Sequence, residues 1–272
     1  MKTVTFGTLK GGVGKTMLCF NVGGVLSARG HKVLIIDSDL QGNLTNNMGI
    51  DRTKKLLTLY EIYNPDALPP LPPAALTYIC PNLKVSNVDL IASSFFLHKA
   101  EQSLALLGER GNAELILRGY VLEHRAFFET YDYILIDTNP SMGIINRNAF
   151  AVSDAILLVS DVSMNSIEGA QLFIALWDEA RQRLGLADNV KGFILNDCDC
   201  RNRLSSDFIE YIQQSPEVED IRQLIMDTII PRTVKITESE LAAMPVGLYD
   251  RESKGATAID KLVDELMRKK IL

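Results

Sequence analysis

The segment that follows the first β-branched run constrains the fold of this chain more than any other part of its 272 residues. Residues 3–8 are that run, residues 9–16 read Leu-Lys-Gly-Gly-Val-Gly-Lys-Thr, and a helical pattern begins at Met17. A strand, a glycine loop and a helix in this order let successive backbone N–H groups point at one anion, at the positive end of the helix dipole. The pattern favours a phosphate-binding loop over a plain glycine turn.

Two side chains at the end of this loop suit the phosphates of a nucleotide. Lys15 would reach the β- and γ-phosphates, and the hydroxyl of Thr16 would bind Mg²⁺. We therefore expect ATP and Mg²⁺ as ligands.

The rest of the chain predicts an α/β fold, a doubly wound and mostly parallel sheet with helices on both faces. Short β-branched runs alternate with helical patterns, and 47% apolar residues suffice for a full core. We expect one domain over residues 1–272. Residues 64–81 hold six of the ten prolines, too many for a central strand, and predict a surface excursion. The strand candidates are residues 3–8, 33–37, 133–137, 155–159, 190–196 and 228–230.

Composition argues against several classes of protein. The net charge of −6 does not attract nucleic acid, so any DNA contact needs a local basic patch. Four cysteines are too few for a disulfide scaffold, and Cys198 with Cys200 would supply at most half of a metal site. Apolar runs such as residues 155–159 are far shorter than the ~20 residues that span a bilayer. The first residues resemble a strand rather than a signal peptide, so we expect a cytoplasmic protein.

Two further strand candidates end in carboxylates. Residues 33–37 end in Asp37, which Asp39 follows, and residues 133–137 end in Asp137. Ligands bind at the carboxyl edge of a parallel sheet, and a buried strand can deliver one carboxylate to the water shell of a metal. Without the glycine loop, the same acids would indicate a helix cap and an exposed turn.

The loop departs from the common pattern G-x-x-x-x-G-K-[ST], because Leu9 replaces the first glycine and Lys10 follows it. In this it resembles the deviant loop of the ParA/MinD branch of phosphate-loop ATPases. The resemblance implies an ATP-bound sandwich dimer in which Lys10 acts across the interface on the partner's nucleotide. A second cation there would neutralise charge that develops during phosphoryl transfer. The alternative is a solvated loop lysine.

Residues 37–45 resemble the family segment D-x-D-P-Q-G-N-x-T, with Leu40 in place of proline. The resemblance implies catalytic roles for Lys10, Lys15 and Asp39, of which Asp39 would orient or activate the attacking water. It also implies that Asn196 and Pro231 hold the adenine, although Pro231 would equally end a strand. The residues expected to bind ATP are Lys10, Gly11, Gly12, Val13, Gly14, Lys15, Thr16, Met17, Asn196 and Pro231. Those expected at Mg²⁺ are Thr16, Asp37 and Asp137.

The resemblance to ParA proteins runs over essentially the whole chain. It implies an ATP-dependent homodimer that binds nonspecific double-stranded DNA on the nucleoid and partitions a plasmid, a chromosome or a protein body. A ParB-like partner would stimulate its slow hydrolysis. Arg201 and Arg232 align with arginines that contact the DNA backbone in ParA relatives, and Arg203, Arg222 and Lys235 would extend that patch. Each of these is alternatively a solvated surface residue.

Two other classes remain as alternatives. A MinD-like membrane switch would use the last helical pattern, although packing on the sheet is the favoured role of its apolar stripe. That stripe consists of Ile259, Leu262, Val263, Leu266 and Met267. A metabolic enzyme of the same fold is disfavoured, because an iron–sulfur cluster would need cysteines between Cys80 and Cys198, and no long substrate-binding region follows Asp137.

Overall fold

A computed structural model of the chain describes residues 1–64, 71–79, 87–107, 112–199 and 202–272. The strands in this part are β1 Lys2–Gly7, β2 Val33–Asp37, β3 Thr77–Ile79, β4 Val88–Ile91, β5 Tyr133–Asp137, β6 Ala155–Ser160 and β7 Val190–Leu195. They form one sheet in the order β3-β4-β2-β5-β1-β6-β7, parallel throughout except between β3 and β4.

Helices follow most of the strands and supply the two outer layers. They are α1 Lys15–Ala28, α2 Asn43–Asn47, α3 Tyr60–Tyr63, α4 Pro73–Leu76, α5 Leu97–Leu107, α6 Ile116–Glu123, α7 Arg125–Phe128, α8 Ile144–Val152, α9 Met164–Arg183, α10 Arg203–Gln214, α11 Glu219–Arg222, α12 Val234–Leu241, α13 Val246–Tyr249 and α14 Lys254–Arg268. A 3-10 turn spans Pro216–Val218.

Both faces of the sheet are buried, as the doubly wound prediction requires. Val4 and Ile35 pack on one face together with α1 and α14. Leu34, one residue along β2, faces the opposite layer with α5 and α6, and Leu158 packs against α9 and α10 on that same side. Strands buried on both faces read as continuous apolar runs, which is why the sequence revealed them. The predicted fold class is confirmed.

Five of the six strand predictions are confirmed to within one residue at either end. The sixth, over residues 228–230, is wrong. This segment passes beside β7 and meets it only at intervals: the N–H of Ile230 donates to the carbonyl of Leu195 at 2.9 Å, and isolated bridges join Phe193 to Ile225 and Cys198 to Pro231. The chain there follows the sheet edge without a continuous ladder.

The sequence did not reveal β3 and β4. Val88–Ile91 has only four residues with Asp89 among them, so it makes no apolar run. Thr77–Ile79 lies within the proline-rich stretch, of which residues 71–79 are described along with Asn64. Proline is tolerated at the start of a helix and beside an edge strand, and Pro73 begins α4 while β3 forms the antiparallel edge.

The C-terminal apolar stripe packs inside the protein. Ile259, Leu262, Val263 and Leu266 are each 0% exposed and belong to the same core as α1, and Met267 is partly buried against it. The packing alternative is therefore correct for α14, and the stripe is not presented to a membrane. In the described part of the chain, no helix is long and apolar enough to cross a bilayer.

Candidate functional site

The glycine-rich loop leads from β1 into α1 through two glycines with positive φ. Gly12 has φ 74° and Gly14 has φ 91°, a region that strains residues with a Cβ. A Cβ on Gly14 would also collide with the side-chain amide of Asn196. That amide donates to the carbonyl oxygen of Val13 at 2.8 Å. Asn196, directly after β7, therefore braces the loop in addition to facing the cavity beside it.

A cavity of about 670 Å³ opens beside this loop, within the range of small-molecule sites. The predicted residues that line it are Gly11, Gly12, Gly14, Lys15, Thr16, Met17, Asp39, Asn196 and Pro231. Two predicted nucleotide residues are not among them: Val13 is buried in the core, and Lys10 lies outside the cavity wall.

Asp37 and Asp137 are register partners at the ends of neighbouring strands, and both are 0% exposed. Asp37 accepts hydrogen bonds from the N–H and hydroxyl of Thr45, at 2.8 and 2.6 Å, and from the N–H of Asp39 at 3.1 Å. Burial raises its pKa to about 6 despite these bonds. Burial, and then the charge of Asp37, raises the pKa of Asp137 to about 8.

Among the residues that the structure describes, neither carboxylate oxygen of Asp137 has a hydrogen-bond partner. The nearby Thr16 hydroxyl and Lys15 lower its pKa, but less than burial and Asp37 raise it. Two buried carboxylates side by side repel each other when both are ionised, and a cation would offset that repulsion. Carboxylate oxygens are ligands that suit Mg²⁺. The unpartnered oxygens of Asp137 are therefore well suited to the metal, whereas those of Asp37 already hold the loop that follows β2.

Lys15 places a second charge at the same point. Lys15 is 6% exposed. Burial lowers the pKa of its ammonium, although the negative charges of Asp137 and Asp39 act to raise it. Lysine at the floor of the cavity and carboxylates behind it form a buried charge cluster of the kind that concentrates at functional sites.

Asp39 reaches the cavity from the loop between β2 and α2. Its carboxylate accepts a hydrogen bond from the N–H of Gln41 at 2.8 Å and is otherwise free to face the space above Lys15. The main chain around it is fixed, because Ser93 donates to the carbonyl of Asp39 and Arg52 donates to the carbonyl of Leu40 at 2.8 Å. The carboxylate of Asp39 thus lies on a loop whose main chain is held by hydrogen bonds.

Lys10 does not line the cavity beside the glycine loop, and its ammonium is bonded to the segment after β6. Its ammonium is 2.7 and 2.9 Å from the carboxylate oxygens of Asp161, and 3.2 and 3.4 Å from the hydroxyls of Ser163 and Ser166. Although burial raises the pKa of Asp161, the bonds from Lys10, Ser166 and Ser163 bring it below its ordinary value. A loop lysine fully in solvent would have none of these contacts.

The predicted DNA-binding residues have different surroundings. Arg232 is exposed and pairs through two nitrogens with Asp197, at 3.0 and 2.7 Å. Arg203 is exposed at the start of α10, and Lys235 pairs with Glu238 at 2.9 Å. Arg222 is half-buried, and its guanidinium donates to the carbonyls of Ile212, at the end of α10, and of Ser215. Arg201 lies outside the described residues.

Arg232, predicted for DNA, also lies on the cavity wall, and sequence reasoning missed eight further residues there: Asn43, Pro140, Asp197, Thr233, Val234, Ile236, Thr237 and Glu240. Asn43 and Pro140 follow the acidic strand ends, so their position along the chain was a usable signal. Thr237 and Glu240 come from α12, more than forty residues after β7, and no pattern announced them. Burial raises the pKa of Glu240, which adds an acid at the end of the cavity built by α12.

Comparison with known proteins gives the family of this chain. Residues 1–191 match the family model described as an AAA domain. The chain is 30% identical over 267 residues to the chromosome partitioning protein ParA of Caulobacter vibrioides, covering 98% of this chain and 94% of that protein. The chain belongs to the ParA/MinD family of phosphate-loop ATPases.

Solved structures of this ParA/MinD fold include proteins with different tasks. McdA of Cyanothece in the apo form has a TM-score of 0.81 at 24% identity, covering 98% of this chain and 99% of that one. A cobyrinic acid a,c-diamide synthase of Mycobacterium smegmatis, with bound ATP analogue and magnesium, has a TM-score of 0.77 at 23% identity, over 98% and 95% of the two chains. At these identities the likeness establishes the fold alone. The function of this family member has to be argued from its own residues.

Proposed function

We propose that this chain is an ATPase that dimerises on ATP, binds nonspecific double-stranded DNA and positions a cargo, with slow hydrolysis stimulated by a ParB-like partner. The observation that carries the ATPase part is the buried carboxylate of Asp137, which lies close to Lys15 and has no hydrogen-bond partner among the described residues, while Lys15 lines the cavity edged by the glycine loop. The cargo part is supported by the similarity to ParA of Caulobacter vibrioides over nearly the whole chain.

In this proposal the loop residues Gly11 to Thr16 hold the phosphates of ATP through their backbone N–H groups and the Lys15 ammonium. Thr16 and Asp137 hold Mg²⁺, and Asp37 supports them by fixing the adjacent loop. When bound, the metal offsets charge on the phosphate oxygens. Asn196 and Pro231 border the adenine. One N–H of the Asn196 amide is bonded to the carbonyl of Val13, so its second N–H and its carbonyl oxygen are left for the base.

Hydrolysis in the proposal needs one residue from each of two chains. Asp39 orients or activates the attacking water from the rim of the cavity, where its carboxylate keeps a single hydrogen bond. Lys10 acts on the nucleotide of the partner. Its position outside the cavity of its own chain supports that role. To reach a second chain, Lys10 would have to leave Asp161.

DNA binding in the proposal uses Arg232 and Arg201, extended by Arg203 and Lys235. The pairing of Arg232 with Asp197 reduces the positive charge that one chain presents. Two chains in a dimer would double the patch, so affinity for the DNA backbone would depend on ATP. Such binding would place the protein in the cytoplasm on the nucleoid, with a plasmid, a chromosome or a protein body as cargo.

The test is a pull-down of nonspecific duplex DNA and, in parallel, of anionic liposomes, with ATP, ADP or no nucleotide and at two salt concentrations. We expect DNA binding that requires ATP and weakens as salt rises, with the liposomes left bare. Liposome binding that requires ATP, without DNA binding, would move the chain to the MinD-like class. Binding to neither would remove the DNA part and leave the nucleotide site to be tested by ATP binding alone.

A further inference from the structure

A second concave surface lies outside the nucleotide site. A cleft of about 330 Å³ opens between the segment after α2 and the turn before α5. Its wall has four cationic and three aromatic side chains against one carboxylate, that of Glu61, and we call it the basic aromatic cleft. The cationic and aromatic residues are Arg52, Lys54, Lys55, Lys99, Tyr60, Phe95 and Phe96.

The aromatic and cationic groups of this cleft are unusually open to solvent. Phe95 is 66% exposed and Phe96 is 54% exposed, and adjacent exposed aromatic residues mark interaction sites. Lys55 and Lys99 are exposed, and within the described residues neither has a carboxylate at ion-pair distance. Lys54 is 3.9 Å from Asp51, and the carboxylate of Glu61 accepts hydrogen bonds from Thr58. The cleft thus presents an excess of positive charge on a protein whose net charge is −6.

The cations lie over the rings. The guanidinium of Arg52 is 4.0 Å from the ring centroid of Phe95, and the ammonium of Lys99 is 5.0 Å from that of Phe96. Tyr60 packs beside Phe96 at 5.7 Å. Arg52 and Lys99 each cover one face of a ring, which leaves at most one face of each ring for stacking on a nucleic-acid base. The cleft therefore combines positive charge with exposed apolar ring surface.

One wall of the cleft is attached to the loop that carries Asp39. Arg52 donates to the carbonyls of Leu40 and Gln41, directly after Asp39. The Arg52 guanidinium also fills the space beside Gly42, which has φ 64° and could not carry a Cβ there. A ligand that draws Arg52 toward itself would therefore pull on the main chain next to Asp39.

A second connection runs through the other wall. Ser93 donates its hydroxyl to the carbonyl of Asp39, and its N–H donates to the hydroxyl of Thr45 at 2.9 Å. The Thr45 hydroxyl in turn donates to Asp37 at 2.6 Å. Both walls of the cleft are thus bonded to the acidic loop of the nucleotide site.

We propose that the basic aromatic cleft docks an acidic segment of a partner protein, with carboxylates on either side of an apolar or aromatic side chain, and that docking changes the rate of ATP hydrolysis. Carboxylates would pair with Lys55, Lys99 and Arg52, and the apolar side chain would cover Phe95 and Phe96. A cleft of this volume admits one or two side chains and is too small for a DNA duplex. The rate effect rests on the proposed ATPase function, whereas the docking does not.

The docking is tested by selecting random 12-residue displayed peptides on the full chain, and then measuring an enriched peptide by fluorescence anisotropy. We expect enrichment of Asp and Glu around an aromatic residue, and binding at least tenfold weaker in the double variant Lys55→Glu/Lys99→Glu and in Phe95→Ala. These residues are exposed, so the variants should fold, which an unchanged thermal melt would verify. Lys261→Glu, an exposed lysine on α14, is the matched control and should bind as the parent does.

Three results would overturn the docking proposal. The first is a selection that enriches no acidic peptide, and the second is equal binding to the charge-reversed variant. The third is a 12-nucleotide oligo-dT that binds the cleft more tightly than any selected peptide and loses affinity in Lys55→Glu/Lys99→Glu, which would make the cleft a nucleic-acid site.

The rate effect is tested with Arg52→Lys, which keeps the charge near Phe95 but loses the two-pronged hold on the Leu40 and Gln41 carbonyls. We expect the peptide to change the parent's ATP turnover at least threefold, to bind Arg52→Lys within about threefold of the parent, and to have little effect on its turnover. Peptide binding with no change in the parent's turnover would overturn this second part. A chain without any ATP turnover would contradict the proposed function while peptide binding still decided the docking.

Discussion

The ammonium of Lys10 lies 2.7 Å from the carboxylate of Asp161, so the loop lysine is bonded to the segment after β6 of its own chain and not to its own nucleotide site. Ser163 and Ser166 complete the arrangement around it. A lysine that is to reach a second chain must first leave these partners. The strength of this contact therefore bears on how readily a dimer forms.

Removing the carboxylate should ease dimer formation. We expect Asp161→Asn to leave ATP affinity unchanged. The association constant of the ATP-dependent dimer should rise by up to about fivefold, because a half-exposed ion pair contributes up to ~1 kcal/mol. Analytical ultracentrifugation with ATP over a concentration series measures this. Asp178→Asn, which breaks an ion pair with Arg181 on α9, is the control and should not change assembly.

Lys10→Ala removes the lysine itself instead of its partner Asp161. We expect it to bind ATP as the parent does, since Lys10 does not line the cavity, but to lose dimerisation or turnover. Normal dimerisation and normal partner-stimulated turnover in this variant would contradict the action of Lys10 across the interface.

Asp39 and Lys15 should separate hydrolysis from binding. Asp39→Ala removes the rim carboxylate without touching the glycine loop, so ATP binding should persist while turnover falls at least a hundredfold, a typical contribution of a positioned acid or base. Lys15→Ala removes the phosphate-binding ammonium and should abolish ATP binding. Isothermal titration and a phosphate-release assay measure the two properties, and hydrolysis at the parent rate in Asp39→Ala would show that its assigned role is wrong.

The buried pair Asp37 and Asp137 predicts the pH dependence of stability without metal. Both carboxyl pKa values are raised in the folded chain, to about 6 and about 8, so the folded state holds protons that the unfolded chain has already released. The contribution of this pair to the free energy of unfolding is then fully present below about pH 4 and is lost as pH rises toward 8. In EDTA we expect the Tm to fall by roughly 5 °C or more from pH 5 to pH 8.

Asp137→Asn should remove at least half of that fall, because the amide cannot ionise. Asp220→Asn, at an exposed carboxylate on α11, should leave the fall unchanged. Adding Mg²⁺ and ATP at pH 8 should restore the Tm of the parent and not that of Asp137→Asn. Equal pH profiles of the parent and Asp137→Asn would show that the pair does not control stability.

The close packing around Gly14 indicates that one added methyl group there would impair ATP binding. Gly14→Ala adds a strained φ and a collision with the Asn196 amide, so we expect loss of ATP binding by at least tenfold. Gly30→Ala is the matched control, since Gly30 has φ 90° but nothing within 4 Å of an added Cβ. It should cost about 1 kcal/mol of stability from strain alone and leave ATP binding intact. Comparable ATP affinity in the two variants would contradict the close packing of Asn196 on the loop.

The local pattern of the sequence was enough for the fold class and for much of the site. The strands that end in Asp37 and Asp137 are buried on both faces, which imposes apolar runs, and their acids stand out because they end those runs. The glycine-rich loop is one continuous segment, so the spacing of its glycines, Lys15 and Thr16 can be read directly from residues 9–16. Short elements such as Val88–Ile91 have too few residues to make a pattern, and residues 228–230 have the composition of a strand without its ladder.

The sequence by itself therefore determined which residues are chemically suited to hold a nucleotide, because those choices depend on neighbours along the chain. Only the tertiary structure decided where side chains from distant segments meet: Lys10 on Asp161, the Asn196 amide on Val13, and Arg52 on the loop after Asp39. These contacts join residues that are 12 to 183 positions apart. They follow from the order in which the strands pair and the helices pack, a property that no local pattern of residue types encodes.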